Sequence, residues 1–291
     1  MRGRSLPDPD DLSPSPPRRR FGQNFLVDRA AASRIVDSLA PGADEPVFEI
    51  GPGRGALTEA LLQRVDRIAA TELDRDLVRL LRARFPAERL VLLEEDVLRL
   101  PFSRVAAALD RRDTTRLVIA GNLPYNISKP VAQKLVSERE QVERAVLTFQ
   151  REVADRLLAN HGSRRYGPLA VMTGRCFRIE KIFDLRPGAF RPRPRVVSTV
   201  TRWTRREGPP LLPEQENRLR RCLSAAFAHR RQTLLKNLRR VLPGGEAGAR
   251  EILDSAGLDG SLRAEAVSPE GFERLAAAWP VRDGSGPGFG A

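Results

Sequence analysis

One stretch of this chain constrains its fold more than any other. A short apolar run, Pro46-Val47-Phe48-Glu49-Ile50, discharges directly into Gly51-Pro52-Gly53-Arg54-Gly55, and an amphipathic stretch, Leu57 to Val65, follows at once. A buried strand that turns through glycines into a helix is suited to binding a nucleotide, because glycine permits tight backbone geometry and close approach of a ligand. The same alternation continues along the chain. Strands are predicted at 68–72, 90–94, 117–121 and 142–148, and helices at 29–39, 75–85, 130–137 and 152–158. Strands alternating with helices over this length predict a doubly wound, Rossmann-like α/β domain with a mostly parallel sheet.

Two further strands, 177–183 and 196–203, flank a loop rich in Pro and Arg at 186–195. The composition then changes at Arg205 to Pro213, which reads as a linker. Beyond it every pattern is helical: 214–227, 233–241, 247–255 and 269–279. The expected organisation is a disordered Pro/Arg-rich tail at 1–19, the α/β domain at 20–205, a small all-helical domain at 212–280, and a Gly-rich disordered tail at 281–291.

The glycine turn suggests a ligand class without fixing it. Glu72 closes the second predicted strand, where a carboxylate can accept both hydroxyls of a ribose. Asp96, after the third, can hold an adenine amine. Gly51-x-Gly53-x-x-Ala56 also satisfies the looser dinucleotide fingerprint, and glycines close strand–helix turns in many α/β proteins, so both readings stay open here. Glu49, just ahead of the glycines, would repel a pyrophosphate and attract a sulfonium with an amino group.

Asn122-Leu123-Pro124-Tyr125 follows the fourth strand. The exocyclic amine of adenine has its lone pair delocalised into the ring. Two acceptors on its hydrogens, the Asn122 side-chain oxygen and the Leu123 carbonyl, would favour a more nucleophilic, tetrahedral nitrogen. Pro124 stiffens the turn, and Tyr125 would stack on the base. The plainer reading is a turn tetrapeptide, since Asn and Pro are common in turns. Its place after a strand of a glycine-turn domain favours the chemical reading.

Charge and composition narrow the partners. The 291 residues carry 50 Lys+Arg against 37 Asp+Glu, a formal net charge of +13. That balance favours a polyanion, with nucleic acid first; arginine-rich codon usage explains part of it. The only cysteines are Cys176 and Cys222 and the only histidines His161 and His229. No zinc site, metal site or Ser-His-Asp triad is expected from so few, and isolated cysteines suit a reducing cytoplasm. No apolar run is long enough for a membrane span, and residues 1–20 lack the apolar core of a secretory signal. Nothing signals an oligomer, so a monomer is expected.

With these motifs in order, the sequence resembles the ribosomal RNA adenine N6,N6-dimethyltransferases from about Arg20 to about Trp279. Phe21 to Asp28 looks like the family's opening motif, Phe48 to Thr58 like its cofactor loop, and Asn122 to Ser128 like its catalytic motif. The resemblance implies a class I methyltransferase domain using S-adenosyl-L-methionine, followed by a small helical domain. It implies cofactor contacts from Asn24, Leu26, Gly51, Gly53, Glu72, Asp96 and Asn122, and catalytic roles for Asn122, Leu123, Pro124 and Tyr125. One departure is visible: Glu95 stands where the family usually has glycine, which bears on the backbone at Asp96.

Phe190 to Ser198 resembles a loop shared by both family branches. Ala226 to Leu238 and Tyr166 to Leu169 resemble the small-subunit branch, the KsgA type. That branch dimethylates two adjacent adenines in a hairpin loop near the 3' end of 16S ribosomal RNA, which makes the small ribosomal subunit the expected partner. Arg191, Arg193 and Arg195, and the helical cluster Arg230, Arg231 and Lys236, are the expected phosphate contacts. The alternatives are an Erm-like enzyme acting on 23S ribosomal RNA, an RNA-binding assembly factor, and, more remotely, a DNA adenine methyltransferase.

Overall fold

The computed structural model describes residues 23–112, 114–208 and 212–280. The two expected tails, and the first residues of the Phe21–Asp28 motif, lie outside them. In chain order the α/β part comprises β1 (Phe25–Leu26), α1 (Arg29–Leu39), β2 (Val47–Ile50), α2 (Ala56–Leu61), β3 (Ile68–Thr71), α3 (Arg75–Arg84), β4 (Leu90–Leu93), α4 (Phe102–Ala108), β5 (Leu117–Asn122), α5 (Ser128–Ser137), β6 (Val142–Gln150) and α6 (Arg151–Leu157). It continues through α7 (Pro168–Cys176), β7 (Phe177–Leu185), β8 (Phe190–Arg191) and β9 (Ser198–Arg205). The remaining helices are α8 (Pro213–Ala226), α9 (Leu234–Leu238), α10 (Gly245–Ser255) and α11 (Pro269–Ala277).

Seven strands form one sheet in the order β4-β3-β2-β5-β6-β9-β7. The first five are mutually parallel; β9 runs antiparallel between β6 and β7. The α/β class read from the alternation is therefore the observed one. All four residues of β2 are buried, as a strand covered by helices on both faces requires. Its chain neighbours β3 and β5 lie on opposite sides of it, and the crevice beyond the carboxyl ends of strands at such a switch point is where ligands bind.

Local chemistry explains the elements that frame that crevice. Asp28 caps α1 by accepting from the Ala31 amide at 3.0 Å, and α1 buries Ala31, Ala32, Ile35, Val36 and Leu39. The carbonyls left over at its far end are taken by arginines: Arg144 donates to Leu39 and Ala40 and pairs with Glu45, and Arg202 donates to Ser38. At the antiparallel edge Trp203 is fully buried, 5.9 Å from the Phe149 ring and 5.6 Å from that of Phe177, with its indole N–H donating to Thr201 Oγ1.

The described residues form two units, those within 23–158 and 176–206, and those within 159–175 and 207–280. The sequence pattern places 159–175 inside the α/β domain; in the structure this segment packs with the helical unit. There Tyr166 meets the Phe227 ring at 6.1 Å, and Phe227 meets Phe272 at 5.4 Å. Asn237, buried, donates from Nδ2 to the carbonyls of Ala226 and His229 and so ties α9 to the end of α8. No helix among the described residues is long and apolar enough to cross a membrane.

Candidate active site

A cavity of about 350 Å³ opens at the carboxyl ends of β2, β3, β4 and β5. The glycine turn forms its floor. Gly51 and Gly53 adopt φ of 67° and 57°, which side-chain-bearing residues rarely take. Gly53 has a second reason to be glycine: a Cβ there would lie 2.9 Å from Cδ1 of Phe25. The Phe25 ring thus rests on the turn, with the Arg54 guanidinium 4.8 Å over its centroid. Phe25 and Arg54 both line the cavity, and neither stands out in the sequence, although Phe25 lies inside the opening motif.

Glu72 sits at the end of β3 and works on the turn itself. One carboxylate oxygen accepts from the amides of Leu73 and Asp74 at 2.9 and 3.0 Å, and the other accepts from Gly53 at 3.2 Å. Burial raises its pKa, and those three backbone donors pull against the rise. The residue read as a ribose acceptor is therefore also the clamp that holds the glycine turn. Asp96 lines the cavity, with Oδ1 accepting from Leu98 N at 2.9 Å.

The Glu95 departure leaves that wall intact. Among the described residues only Ala40 and Asp110 are non-glycine residues with positive φ, so position 95 needs no glycine backbone. The Glu95 carboxylate takes both ends of the Arg104 guanidinium, at 2.7 and 2.9 Å, and its carbonyl accepts from Thr71 Oγ1.

Glu49 lines the cavity but is only 1% exposed, and its side chain accepts from the neutral Thr58 hydroxyl at 2.6 Å. Burial, aided by the nearby Glu72 charge, pushes its pKa up to about 8. The charge argument from sequence therefore needs correcting: a carboxyl this desolvated is mostly protonated near neutral pH. A consequence for stability follows. The folded state keeps the proton up to about pH 8, whereas the unfolded chain releases it near the ordinary value of 4.5. Stability linked to this group is complete below pH 4.5 and falls by up to about 1.4 kcal/mol per pH unit between 4.5 and 8. Glu49→Gln keeps an acceptor for Thr58 and cannot titrate. Its melting temperature should fall less than that of the wild type between pH 5 and pH 8, and parallel curves would refute the assignment.

The Asn122-Leu123-Pro124-Tyr125 turn lies at the edge of the cavity. Asn122 ends β5, and its Nδ2 donates to the Asn24 carbonyl at 2.9 Å, which leaves Oδ1 as the amide end available to a donor in the cavity. Asn122 and Pro124 line the cavity; the Leu123 side chain is 2% exposed and packs into the core. The Pro124 carbonyl accepts from Ile127 N and Ser128 Oγ, both at 3.1 Å, which fixes the turn. Tyr125 is half-buried beside it, with its hydroxyl 2.9 Å from Ser198 Oγ, and desolvation raises its pKa.

The structure gathers Asn24, Leu26, Gly51, Gly53, Glu72, Asp96, Asn122 and Pro124 around one cavity. Arg191, Arg193 and Arg195 are exposed, and Arg191 pairs in register with Phe25 at the cavity wall. Arg231 and Lys236 belong to the helical unit, where both are exposed. Arg230 is exposed too, but its guanidinium donates to the carbonyls of Arg164 and Tyr166, so it has a structural task as well. Among the described residues no group of three or more His, Cys, Asp or Glu side chains is arranged to hold a metal ion.

Comparison with known proteins agrees with this geometry. A family profile described as "Ribosomal RNA adenine dimethylase" matches residues 15–277. A protein of Acidobacterium capsulatum named "Ribosomal RNA small subunit methyltransferase A" is 43% identical, covering 89% of this chain and 89% of its own length. One of the same name from Bordetella bronchiseptica is 42% identical, covering 89% and 92%. Among solved structures, a dimethyladenosine transferase from Plasmodium falciparum superposes with a TM-score of 0.73 at 22% identity, over 86% of this chain and 95% of that one. The 23S rRNA methyltransferase ErmE superposes with a TM-score of 0.64 at 25% identity, over 88% and 99%. The profile spans nearly the whole chain, and the cavity assembles the motifs in one place: this protein belongs to the ribosomal RNA adenine dimethylase family.

Proposed function

We propose that this protein dimethylates the N6 amines of two adjacent adenines in a hairpin loop near the 3' end of small-subunit ribosomal RNA, with S-adenosyl-L-methionine as methyl donor. The observation that carries the reading is the Asn122 amide, whose Nδ2 is engaged by the Asn24 carbonyl at the edge of the cavity. The names of relatives more than 40% identical over most of the chain support the choice of small-subunit RNA.

The donor set suits the cofactor. Glu72 and Asp96 offer carboxylates for ribose hydroxyls and an adenine amine, and the glycine turn offers close backbone approach. When bound, S-adenosyl-L-methionine supplies an electrophilic methyl group on a sulfonium sulfur. The chain's own work is alignment and hydrogen bonding. Asn122 Oδ1 and the Leu123 carbonyl accept the two amine hydrogens and draw the nitrogen lone pair out of conjugation. Pro124 sets the direction of that carbonyl. Tyr125 stacks on a base that has left its helical stack and holds it in line with the donor.

The exposed arginines after β8 would hold the RNA backbone without reading its sequence. Replacing Arg193 and Arg195 by alanine should weaken RNA binding and lower the slope of log affinity against log salt by about 0.7–0.9 for each phosphate no longer neutralised. An unchanged slope would remove these two from the RNA surface. Arg230→Ala should instead lower thermal stability, through the carbonyls it releases.

The likeness to ErmE sustains a second reading, a single adenine of 23S ribosomal RNA. One experiment separates the two. Purified protein and labelled S-adenosyl-L-methionine are incubated with small subunits from a strain lacking the modification and, in parallel, with protein-free 23S RNA. Dimethyladenine in the small-subunit RNA, lost in Asn122→Ala, is the expected result. Label in the 23S RNA alone would move the protein to the Erm branch, and no label in either would point to an assembly factor.

A further inference from the structure

In the reading above, Asn122 works only if its amide faces one way. The two ends of a side-chain amide are alike in shape and opposite in hydrogen-bonding character. A half-turn would present a donor, Nδ2, to an amine that is itself a donor. The partner that selects the orientation comes from far away in the chain: the Asn24 carbonyl, accepting from Nδ2 at 2.9 Å across 98 positions of sequence.

Asn24 immediately precedes β1, so what holds β1 holds that carbonyl. Phe25 and Leu26 pair antiparallel with Arg191 and Phe190 of β8, and the Val27 amide donates to the Ala189 carbonyl at 2.9 Å. Three of these side chains are anchors, with Phe25 at 7%, Leu26 at 5% and Phe190 at 1% exposure. Phe25 is seated against Gly53, where no Cβ fits. The other strand of the ribbon runs straight into the exposed Arg193 and Arg195.

We propose that the β1–β8 ribbon is the positioning element for the Asn122 amide, acting through the Asn24 carbonyl, and that an RNA strand docked on Arg193 and Arg195 tightens it. The inference rests on Asn122 being the acceptor for the target amine. In this role the ribbon residues act through Asn122 and are not themselves catalytic residues. Two long-range pairings, 24 with 122 and 25–27 with 189–191, then join substrate docking to a side chain whose orientation the chemistry needs.

Val27→Pro tests it. The side chain at 27 is 43% exposed, and proline deletes the N–H that bonds Ala189 while favouring the extended backbone Leu26 already has as a strand residue. The readout is hydrogen exchange of the Asn122 side-chain amide by ¹⁵N NMR, identified by its absence in Asn122→Ala and measured without substrate. Exchange should quicken about tenfold or more in Val27→Pro. The kcat for methyl transfer should fall on the order of 10–100-fold with KM for RNA little changed. Val27→Ile, which keeps the N–H, should restore both. If Val27→Pro does not fold, Phe190→Leu loosens the same ribbon and should shift exchange in the same direction.

Wild-type exchange in a folded Val27→Pro, or in Phe190→Leu if that variant is the one used, would overturn the positioning role. Adding a hairpin RNA should slow exchange in the wild type and not in the Arg193→Ala/Arg195→Ala double variant; an equal response in both would overturn the coupling. Because amide exchange is read without methyl transfer, a wild type inactive on every RNA would count against the proposed function and leave the test of the ribbon standing.

Discussion

Alanine at position 122 should lower kcat for methyl transfer by about 10²–10³-fold, the loss expected when an oriented hydrogen-bonding group aimed at a developing charge is removed. The fold should survive, because Asn122 ends its strand at the cavity and its side chain donates to the Asn24 carbonyl rather than into the core. The diagnostic comparison is with Asn122→Asp. Aspartate keeps an oxygen toward the cavity but turns an acceptor toward the Asn24 carbonyl, so the two oxygens repel. If Oδ1 were the whole of the contribution, aspartate would be nearly as active as asparagine. Since orientation depends on the donor end, Asn122→Asp should also be impaired. Single-turnover rates with saturating cofactor would separate the two cases, and full activity in Asn122→Ala would remove the residue from the mechanism.

Gly53→Ala carries the other large effect, and it strikes binding and stability together. The backbone at φ 57° disfavours any Cβ, and the added carbon would meet the Phe25 ring at 2.9 Å. Left-handed strain costs about 1–3 kcal/mol, and relief of the clash must displace either the ring or the turn. Displacing the turn breaks the hydrogen bond from the Gly53 N–H to the Glu72 carboxylate; displacing the ring disturbs the segment that holds Asn24. Cofactor affinity, by calorimetry, should therefore fall at least about tenfold, with a lower melting temperature. Gly162→Ala is the control: it shares a positive φ of 83° but a Cβ there would touch nothing within 4 Å, so cofactor affinity should be unchanged.

What the sequence disclosed and what it withheld divide along one physical line. The core strands were legible because each is a short apolar run ended by a turn residue, and all four residues of β2 and of β3 are buried. The glycine turn, Glu72, Asp96 and Asn122 were legible because they follow directly on those strands. Helix α4 was not. Its N-terminus has no local side-chain cap, and the Phe102 amide is satisfied at 2.6 Å by the Glu138 carboxylate, 36 positions away. Helix α7 was missed because Thr173 and Gly174 are poor helix formers and its pattern has no clear polar face. The ribbon was out of reach for the same reason as the α4 cap: two-residue strands carry no periodicity, and their partner lies more than 160 positions away. The electrostatics of Glu49 likewise depend on burial, which a carboxylate's position in sequence does not reveal.

The assignment of residues 159–175 to the helical unit has a consequence for how the chain can be cut and how it is made. A fragment ending near residue 206, the natural place to stop when only the catalytic half is wanted, would retain a segment whose apolar side chains stand uncovered. Tyr166, 2% exposed in the full chain, would be left without Phe227, which lies beyond the cut. Such a fragment should bind hydrophobic dyes and aggregate, whereas one in which 159–175 is replaced by a short polar linker should not. During synthesis, too, the segment leaves the exit tunnel well before the residues that bury it, so the sheet can be complete in its first five strands while that stretch still waits for the helices that will cover it to arrive.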